Sequence, residues 1–296
     1  MHWRLRTAAM FAAMSALLVV VGTVVGSVFG NWLYGLGIML VISVLFNAFS
    51  YFFSKKMALS SHKVRLVTRE EEPRLYGIVE GLALKAGLPM PEVGISELPM
   101  PNAFATGRNP KNAAVVATRQ LMNLLTDEEL EGVMAHEMSH VKNRDILVMS
   151  VASTMASLVA YITRMAIFAA MFSGNDENGG NNLPLMLLAD ILLPIAAMLI
   201  QLGVSRNREY LADESGARLT GKPMALANAL IKIEGGCTSR TNTYDSPSTA
   251  NMWISNPFGM KKERGLVNLF RTHPSTPDRI ERLKKLDSEL NGRIHY

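Results

Sequence analysis

The chain contains very little cysteine, with Cys237 as the single thiol among 296 residues. An intramolecular disulfide is therefore excluded, and a polar domain of this chain suits a reducing compartment. A cysteine-rich structural metal site is excluded for the same reason. Cys237 has no partner nearby in the sequence, so we interpret it as an incidental thiol rather than a nucleophile.

The chain also lacks a basic stretch interleaved with aromatic residues, which nucleic-acid binding would favour. Its net charge is only +5. Hydrophobic residues make up 49% of the chain and the mean hydropathy is +0.16, which indicates membrane helices combined with a polar domain. We therefore attribute the positive charge to the flanks of membrane helices and expect no nucleic-acid partner.

Two long apolar runs near the N-terminus predict a membrane hairpin. They cover residues 8–30 and 33–53, and each is long enough to cross a hydrocarbon core of about 30 Å. A cleaved signal peptide fits poorly, because the first run is too long and the second follows at once. Basic residues flank both outer ends of the pair, which places those ends in the cytoplasm by the positive-inside rule. These residues are Arg4, Arg6, Lys55, Lys56, Lys63 and Arg65.

A second pair of apolar runs, residues 146–172 and 183–204, predicts another hairpin. The linker between them, residues 173–182, has no Lys or Arg, whereas basic residues flank the pair, so the orientation is the same. The two runs carry Arg164 and Asp190, which are costly in a bilayer unless they are paired. A structural ion pair and a polar path for substrate or water both fit these two residues.

The hairpins divide the chain into four segments. Residues 1–56 form the first hairpin and 146–205 the second, while 57–145 and 206–296 share one cytoplasmic domain. Hydrophobic periodicity and turn residues predict the elements of that domain. The predicted strands are 64–68, 91–96 and 112–117, and the predicted helices are 71–86, 126–143, 223–234 and 277–290. The region from Gly235 to Gly259 is predicted to be a long mobile loop.

The most informative motif is His136-Glu137-Met138-Ser139-His140. Two histidines four residues apart lie on one face of a helix and can bind one Zn²⁺, and Glu137 can then act as general base. The motif alone is weak evidence for a zinc site, because about one chain in a hundred of this length would contain it by chance. Its context strengthens it, since Thr126 and Glu129 predict a capping box that begins an amphipathic helix here.

Catalytic zinc usually has three protein ligands, so the sequence must supply one more. A third histidine shortly after the motif is absent, because that position is Ile146. Glu209 and Asp213 lie four residues apart and share a helix face, so Glu209 can bind the metal while Asp213 accepts the N–H of a ligating histidine. A solvated charged helix, with Arg206 and Arg208 as lipid anchors, fits this spacing about equally well. The need for a carboxylate favours Glu209.

Taken in order along the chain, these motifs resemble those of the HtpX-type membrane zinc endopeptidases, relatives of the prenyl-protein (CAAX) endopeptidases. The matching segments are 101–107, 135–140 with Asn143 and Asp145, 208–213, and 272–274 with Arg279. The resemblance implies a predominantly helical α+β fold: four transmembrane helices in two hairpins, and a gluzincin-like cytoplasmic protease domain with a small sheet. It also implies one Zn²⁺ per subunit, with Glu209 as its third ligand beside His136 and His140.

The resemblance assigns further roles to two groups of residues. Asn102, Ala103 and Phe104 resemble the edge strand that aligns the substrate, and a plain turn into a strand is the alternative. His273 and Arg279 resemble the pair that steadies the tetrahedral intermediate. The alternative for the second group is structural: Ser275 or Thr276 caps the last helix, and Arg279 is exposed.

The resemblance finally implies an integral, multi-pass protein of a bacterial-type inner membrane, with both termini and the protease domain in the cytoplasm. Its expected activity is cleavage of cytoplasmic or juxtamembrane segments of misfolded or damaged membrane proteins, as part of quality control and stress response. The expected partners are protein substrates, the lipid bilayer and other membrane quality-control proteases. A non-catalytic zinc-binding scaffold is the main alternative, and a transporter using Arg164 and Asp190 is disfavoured by the large polar domain.

Overall fold

The computed structural model describes residues 31–149, 151, 206–238 and 274–292, together with single positions between residues 8 and 23. Several predictions lie outside the described residues. They concern the third and fourth apolar runs with Arg164 and Asp190, most of the loop up to Gly259, and His273.

The second apolar run forms helix α1, Trp32–Ser61. Asn31 caps it, because its side chain accepts hydrogen bonds from the backbone N–H groups of Leu33 and Tyr34. Among the described residues, α1 is the one helix long and apolar enough to cross a membrane. It continues past the predicted end at Phe53, because no Gly or Pro follows to stop it before Ser61.

The face of α1 that carries small polar side chains packs against the first apolar run. Asn47 Nδ2 donates a hydrogen bond of 2.7 Å to Ser15 Oγ of that run. Ser43, Ser50 and Ser54 are buried on the same face of α1 as Asn47. Small and hydroxyl-bearing residues are typical of helix contacts in membranes, so this contact supports the first hairpin. The four-span topology stays a prediction.

Four strands form one mixed sheet in the order β1-β2-β4-β3. Strands β2 and β4 are parallel, and the other two neighbouring pairs are antiparallel. The strands predicted from periodicity are confirmed, although β1 ends two residues earlier than the predicted segment. The strands are β1 (Val64–Leu66), β2 (Glu92–Ser96), β3 (Ala103–Gly107) and β4 (Ala113–Thr118). Strand β3 lies at the edge of the sheet, as the resemblance implied.

Among the described residues, six further α-helices follow, besides the short 3-10 helix Pro110–Asn112. Gly87 ends α2 in the left-handed conformation, with φ of 67°, as its place after the apolar face predicted. The capping box of Thr126 and Glu129 at the start of α4 is also confirmed. These helices are α2 (Pro73–Ala86), α3 (Arg119–Leu124), α4 (Asp127–Asn143), α5 (Arg206–Thr220), α6 (Pro223–Thr238) and α7 (Thr276–Asn291).

Two elements differ from the predictions. Helix α3 was not predicted, because its six residues are too short to show periodicity; the side chain of Thr118 caps it. The prediction of a loop from Gly235 was wrong at its start, since α6 continues to Thr238. A glycine costs only about 1 kcal/mol within a helix, so Gly235 lowers the stability of this last turn without ending it.

The sheet is packed on both faces. One face joins α2 and α4 in the main core, which contains Leu75, Val79, Val115, Leu130, Val133 and Met138. The other face packs on the end of α1 through Ala58, Phe104 and Val116. Helices α5 and α6 pack against α4, and α7 packs against α5 and α6. The motif helix α4 therefore lies at the centre of the domain, and the apolar helix α1 contacts the opposite face of the sheet.

Candidate metal centre

His136 and His140 lie one turn apart on α4 and point to the same place. Their Nε2 atoms are 3.3 Å apart, and each residue is 1% exposed. The start of α4 is held by Glu129, whose carboxylate accepts a hydrogen bond of 2.9 Å from the backbone N–H of Thr126. Lys232 Nζ on α6 also contacts that carboxylate at 2.7 Å. These contacts hold the start of the motif helix in place without a metal ion.

Glu209 on α5 completes a group of three donors. Its Oε2 lies 3.6 Å from Nε2 of His136, and its Oε1 lies 3.5 Å from Nε2 of His140. Three atoms bound tetrahedrally to one Zn²⁺ at 2.0–2.1 Å would lie about 3.4 Å apart, so the chemistry and spacing of this set fit such an ion. Glu209 is 1% exposed, which rules out the alternative of a solvated charged helix.

A glycine allows α5 to reach the metal ligands. A Cβ at Gly216 would lie 2.8 Å from the backbone nitrogen of His136 and 2.9 Å from the carbonyl carbon of Ala135. Any larger residue would push the two helices apart, because backbone atoms cannot rotate away. Gly216 lies two turns after Glu209 and shares its helix face, so this contact sets the position of the third donor. Gly216 carries no signal in the sequence that predicts this contact.

Asp213 lies between His136 and Arg279. Its Oδ1 is 2.8 Å from Nδ1 of His136, while Arg279 donates from Nε to Oδ2 at 2.7 Å and from Nη2 to Oδ1 at 2.6 Å. Ser275 caps α7, as the structural alternative expected. The exposure expected for Arg279 in that alternative is wrong: the side chain is buried, because it pairs with a carboxylate that is itself buried.

The charges in this chain of contacts stabilise one another. Burial favours the neutral form of Asp213, but Arg279 and then His136 outweigh burial and lower the pKa of Asp213 to about 2. Burial also favours neutral His136, yet Asp213 and then Glu209 raise the pKa of that imidazole to about 10. The pKa of Arg279 is raised, because Asp213 outweighs the effect of burial. Without a metal ion, His136 therefore carries a proton that a metal must displace.

A second carboxylate lies behind His140. Asp145 Oδ2 is 3.5 Å from Nδ1 of His140, and Asp145 Oδ1 is 4.0 Å from Nη1 of Arg208. Arg144 adopts the left-handed conformation at the end of α4, with φ of 60°, which turns the chain so that Asp145 faces back toward the helix. Each candidate ligand histidine thus has a carboxylate on its Nδ1 side, an arrangement that fixes ring orientation. In the sequence, Asp145 stands out only as part of a segment that resembles the family.

Strand β3 runs beside α4 and carries two of the three predicted substrate-binding residues. Asn102 precedes it and fixes its start, since the Asn102 carbonyl accepts from the Thr118 N–H at 2.8 Å and its own N–H donates to Thr118 Oγ1 at 2.9 Å. Ala103 belongs to the core shared with α4. Phe104 faces the opposite way, with its ring 4.7 Å from that of His62 at the end of α1. Glu137 is 5% exposed beside the metal ligands.

Comparison with known proteins agrees with this geometry. The model of the family described as Peptidase family M48 matches residues 69–287. A protease HtpX homolog of Pyrococcus furiosus is 46% identical over 288 residues, or 96% of each chain. One of Thermococcus kodakarensis is 45% identical over 288 residues, or 97% of each chain. One of Campylobacter hominis is 47% identical over 256 residues, or 86% of this chain and 90% of that one.

A solved structure, that of S. mikatae Ste24p, is similar with a TM-score of 0.48 and 18% sequence identity. That similarity covers 95% of this chain and 65% of the Ste24p chain. The family match spans most of the chain and includes all three metal-binding candidates, and the curated relatives are similar over almost the whole length. The chain therefore belongs to peptidase family M48, as a membrane metalloprotease of the HtpX type.

Proposed function

We propose that the protein is a zinc-dependent endopeptidase that cleaves cytoplasmic or juxtamembrane segments of membrane proteins. The observation that carries this proposal is the cluster of His136, His140 and Glu209. The two Nε2 atoms are 3.3 Å apart, and each lies 3.5–3.6 Å from one oxygen of the Glu209 carboxylate. A zinc ion held there supplies Lewis-acid activation of water and of the scissile carbonyl. Zinc fits because two imidazoles and one carboxylate, with one position left open, are the usual ligands of catalytic zinc.

Glu137 is the proposed general base. It follows His136 on α4, it is buried, and it helps to raise the pKa of Arg279, which supports placing its carboxylate in the same buried site without being one of the three donors. In this role Glu137 takes a proton from the attacking water and then gives it to the leaving amine. In a purely structural metal site, a buried carboxylate at this position would have no task.

Asp213 and Arg279 are proposed to position the metal ligands. Asp213 lies on the Nδ1 side of His136 and directs Nε2 toward the other donors. Arg279 keeps Asp213 ionised through its two hydrogen bonds. The predicted role of Arg279 in steadying the tetrahedral intermediate is therefore proposed as indirect, through Asp213. His273 is proposed as the direct stabiliser of the developing oxyanion.

The edge strand β3 is proposed to bind the substrate. Among the described residues it pairs with β4 alone, and it runs beside the motif helix. An extended peptide can add to such an edge through backbone hydrogen bonds. Ala103 and Phe104 are the proposed contact residues; because backbone groups alternate along an antiparallel strand, one of the two offers them to the peptide while the other pairs with β4. Asn102 anchors the strand through Thr118 and is proposed to contact the peptide with its side chain.

We further propose four spans in two hairpins, with both termini in the cytoplasm and a role in removing misfolded or damaged membrane proteins. The apolar α1 and its contacts with the sheet support a site close to the membrane. Substrates would be drawn mainly from membrane proteins, and other quality-control proteases are the expected partners.

The test compares the wild-type protein with Glu137→Gln in membranes that contain an unstructured, membrane-anchored reporter. We expect zinc-dependent cleavage by the wild type and a loss of at least about 100-fold in the variant, because general-base catalysis contributes on this scale. Glu128→Gln is the matched control, since Glu128 is an exposed residue of the same helix that pairs with Lys222. Metal content is measured for all three proteins.

Each outcome has a distinct meaning. Equal zinc-dependent cleavage by wild type and Glu137→Gln would overturn the assignment of the base. No cleavage by either, with zinc bound to both, would instead favour a non-catalytic scaffold.

To test the location of cleavage, the cleavable segment is moved stepwise away from the membrane anchor. Cleavage that does not depend on this distance would contradict the juxtamembrane proposal.

A further inference from the structure

The connection between β3 and β4 is basic and rigid. We call residues 107–113 the β3–β4 tip; it contains an arginine and a lysine but no acidic residue. The Oδ1 atom of Asn109 accepts hydrogen bonds from the N–H and the Nδ2 of Asn112, each at 3.0 Å, and Pro110 restricts the backbone between them. Gly107 has φ of 133°, where a Cβ would overlap the carbonyl of Asn112. The tip is therefore held in one position relative to the sheet.

Arg108 in the tip lies against the membrane helix. Its guanidinium carbon is 5.5 Å from the ring centroid of Phe52 and 5.8 Å from that of Tyr51. Both distances are within the range of cation–π attraction. The tip is therefore held beside Tyr51 and Phe52 of α1.

The residues of α1 indicate the depth of Tyr51 in a bilayer. Trp32 and Tyr51 are separated by about 28 Å along the helix axis, at 1.5 Å per residue, which is close to the thickness of a hydrocarbon core. No charged residue lies between them, whereas Lys55 and Lys56 follow within two turns. Aromatic residues such as these favour the two membrane interfaces. Arg108, beside Tyr51, therefore lies in the headgroup layer on the side of the protease domain.

We propose that the β3–β4 tip binds anionic lipid headgroups of the leaflet that faces the protease domain. Arg108 can donate two parallel hydrogen bonds to a lipid phosphate, while Lys111 is exposed and adds a second positive charge. Lys56, exposed on α1, adds a third charge near the same leaflet. Neutral headgroups offer a phosphate but no net negative charge, so the attraction favours anionic lipids.

This contact has a consequence for the edge strand. Gly107 both ends β3 and begins the tip, so a bound headgroup fixes one end of the strand at the membrane surface. A peptide that pairs with β3 would then come from a segment lying along the interface. This consequence rests on the proposed role of β3, whereas lipid binding by the tip does not.

The test uses the full chain in lipid nanodiscs, with Cys237→Ser and with Asn112→Cys carrying an environment-sensitive fluorophore. The discs contain phosphatidylcholine alone or with 30% phosphatidylglycerol, and aqueous acrylamide quenches the dye, because this uncharged quencher is not repelled by the anionic lipid. We expect at least three-fold less quenching in the anionic discs, and loss of this protection in 1 M salt, where the Debye length is about 3 Å.

Arg108→Gln/Lys111→Gln should remove the protection, whereas Lys284→Gln/Lys285→Gln on α7 should keep it. The second pair removes the same charge on a helix that packs against α5 and α6. Equal quenching in the two kinds of disc would overturn the proposal, as would equal loss of protection in both charge variants. Because the readout needs no proteolysis, it remains informative even if the proposed peptidase activity fails.

Discussion

Arg279 donates two hydrogen bonds, of 2.6 and 2.7 Å, to the buried carboxylate of Asp213, sixty-six positions earlier in the sequence. That carboxylate also contacts the metal-ligand candidate His136. Helix α7 is therefore connected to the motif helix α4 through this buried carboxylate. Several measurable consequences follow from this connection and from the packing around it.

Removing Arg279 should destabilise the protein strongly. Arg279→Met leaves the Asp213 carboxylate buried with one partner fewer, and breaking a buried pair in this way costs about 3–5 kcal/mol. Arg279→Met/Asp213→Asn should be more stable than the sum of the two single changes, because the uncompensated charge is gone. The measurement is a double-mutant cycle from thermal unfolding in detergent.

Arg282→Met is the control for that cycle, because Arg282 lies on the same helix and is exposed, stacking on Tyr210. We expect it to change the free energy of unfolding by no more than about 1 kcal/mol. Strict additivity of Arg279→Met and Asp213→Asn would show that the two residues are not coupled.

Acid should weaken the fold through Asp213. Its pKa in the folded protein is about 2, below the usual value for an unfolded chain, so its ionised form stabilises the fold above about pH 4. This contribution, about 2 kcal/mol, is lost as the pH falls from 4 toward 2. Unfolding by denaturant at a series of pH values should therefore show a shallower acid dependence for Asp213→Asn than for wild type. Parallel curves would be inconsistent with the lowered pKa.

Metal binding should release a proton. In the metal-free protein the pKa of His136 is about 10, so the imidazole is protonated at pH 7 and must lose this proton to become a ligand. We expect close to one proton released from His136 per metal ion, and an apparent affinity that rises about tenfold per pH unit in this range. Calorimetric titration of the apoprotein in buffers of different ionisation enthalpy measures the number of protons released per metal ion. Asp213→Asn, which removes the main cause of the raised pKa, should release fewer protons.

Gly216→Ala should separate α5 from α4 and weaken metal binding. The added methyl group would meet the backbone of Ala135 and His136 at under 3 Å, and overpacking of this kind costs about 1–3 kcal/mol. Because Glu209 lies on the same helix, we expect lower metal content after dialysis, measured by elemental analysis, together with a lower melting temperature.

Gly81→Ala on α2 provides the comparison for Gly216, because nothing lies within 4 Å of a Cβ there. That change should leave metal content unchanged and stabilise the helix slightly. Normal metal content in Gly216→Ala would mean that the helices adjust without moving Glu209.

Local signals were enough to predict much of the domain. The capping box at Thr126 and the stop at Gly87 act over three or four residues, so the sequence itself shows them. The contact between Arg279 and Asp213 joins two helices far apart in sequence, and no periodicity reveals such a pair. The role of Gly216 could not be predicted for another reason. A glycine within a helix indicates only a lower helix propensity until the backbone of the neighbouring helix is known.

The role of Glu209 could be predicted only in part from the sequence. Its spacing from Asp213 identified a helix face, but the same spacing fitted a solvated helix. Only the burial of both carboxylates against α4 decides between them. The direction of Asp145 also required the structure, because it depends on the left-handed turn at Arg144.

The three metal-binding candidates are divided between chain segments made at different times during translation. His136 and His140 are synthesised before residues 146–205, and Glu209 and Arg279 only afterwards. A nascent chain that has completed the motif helix therefore still lacks a ligand and the partner that keeps Asp213 ionised. On the proposed set of ligands, the site can form only after Glu209 and Arg279 have been made, so residues 146–205 are synthesised and inserted before a working protease exists.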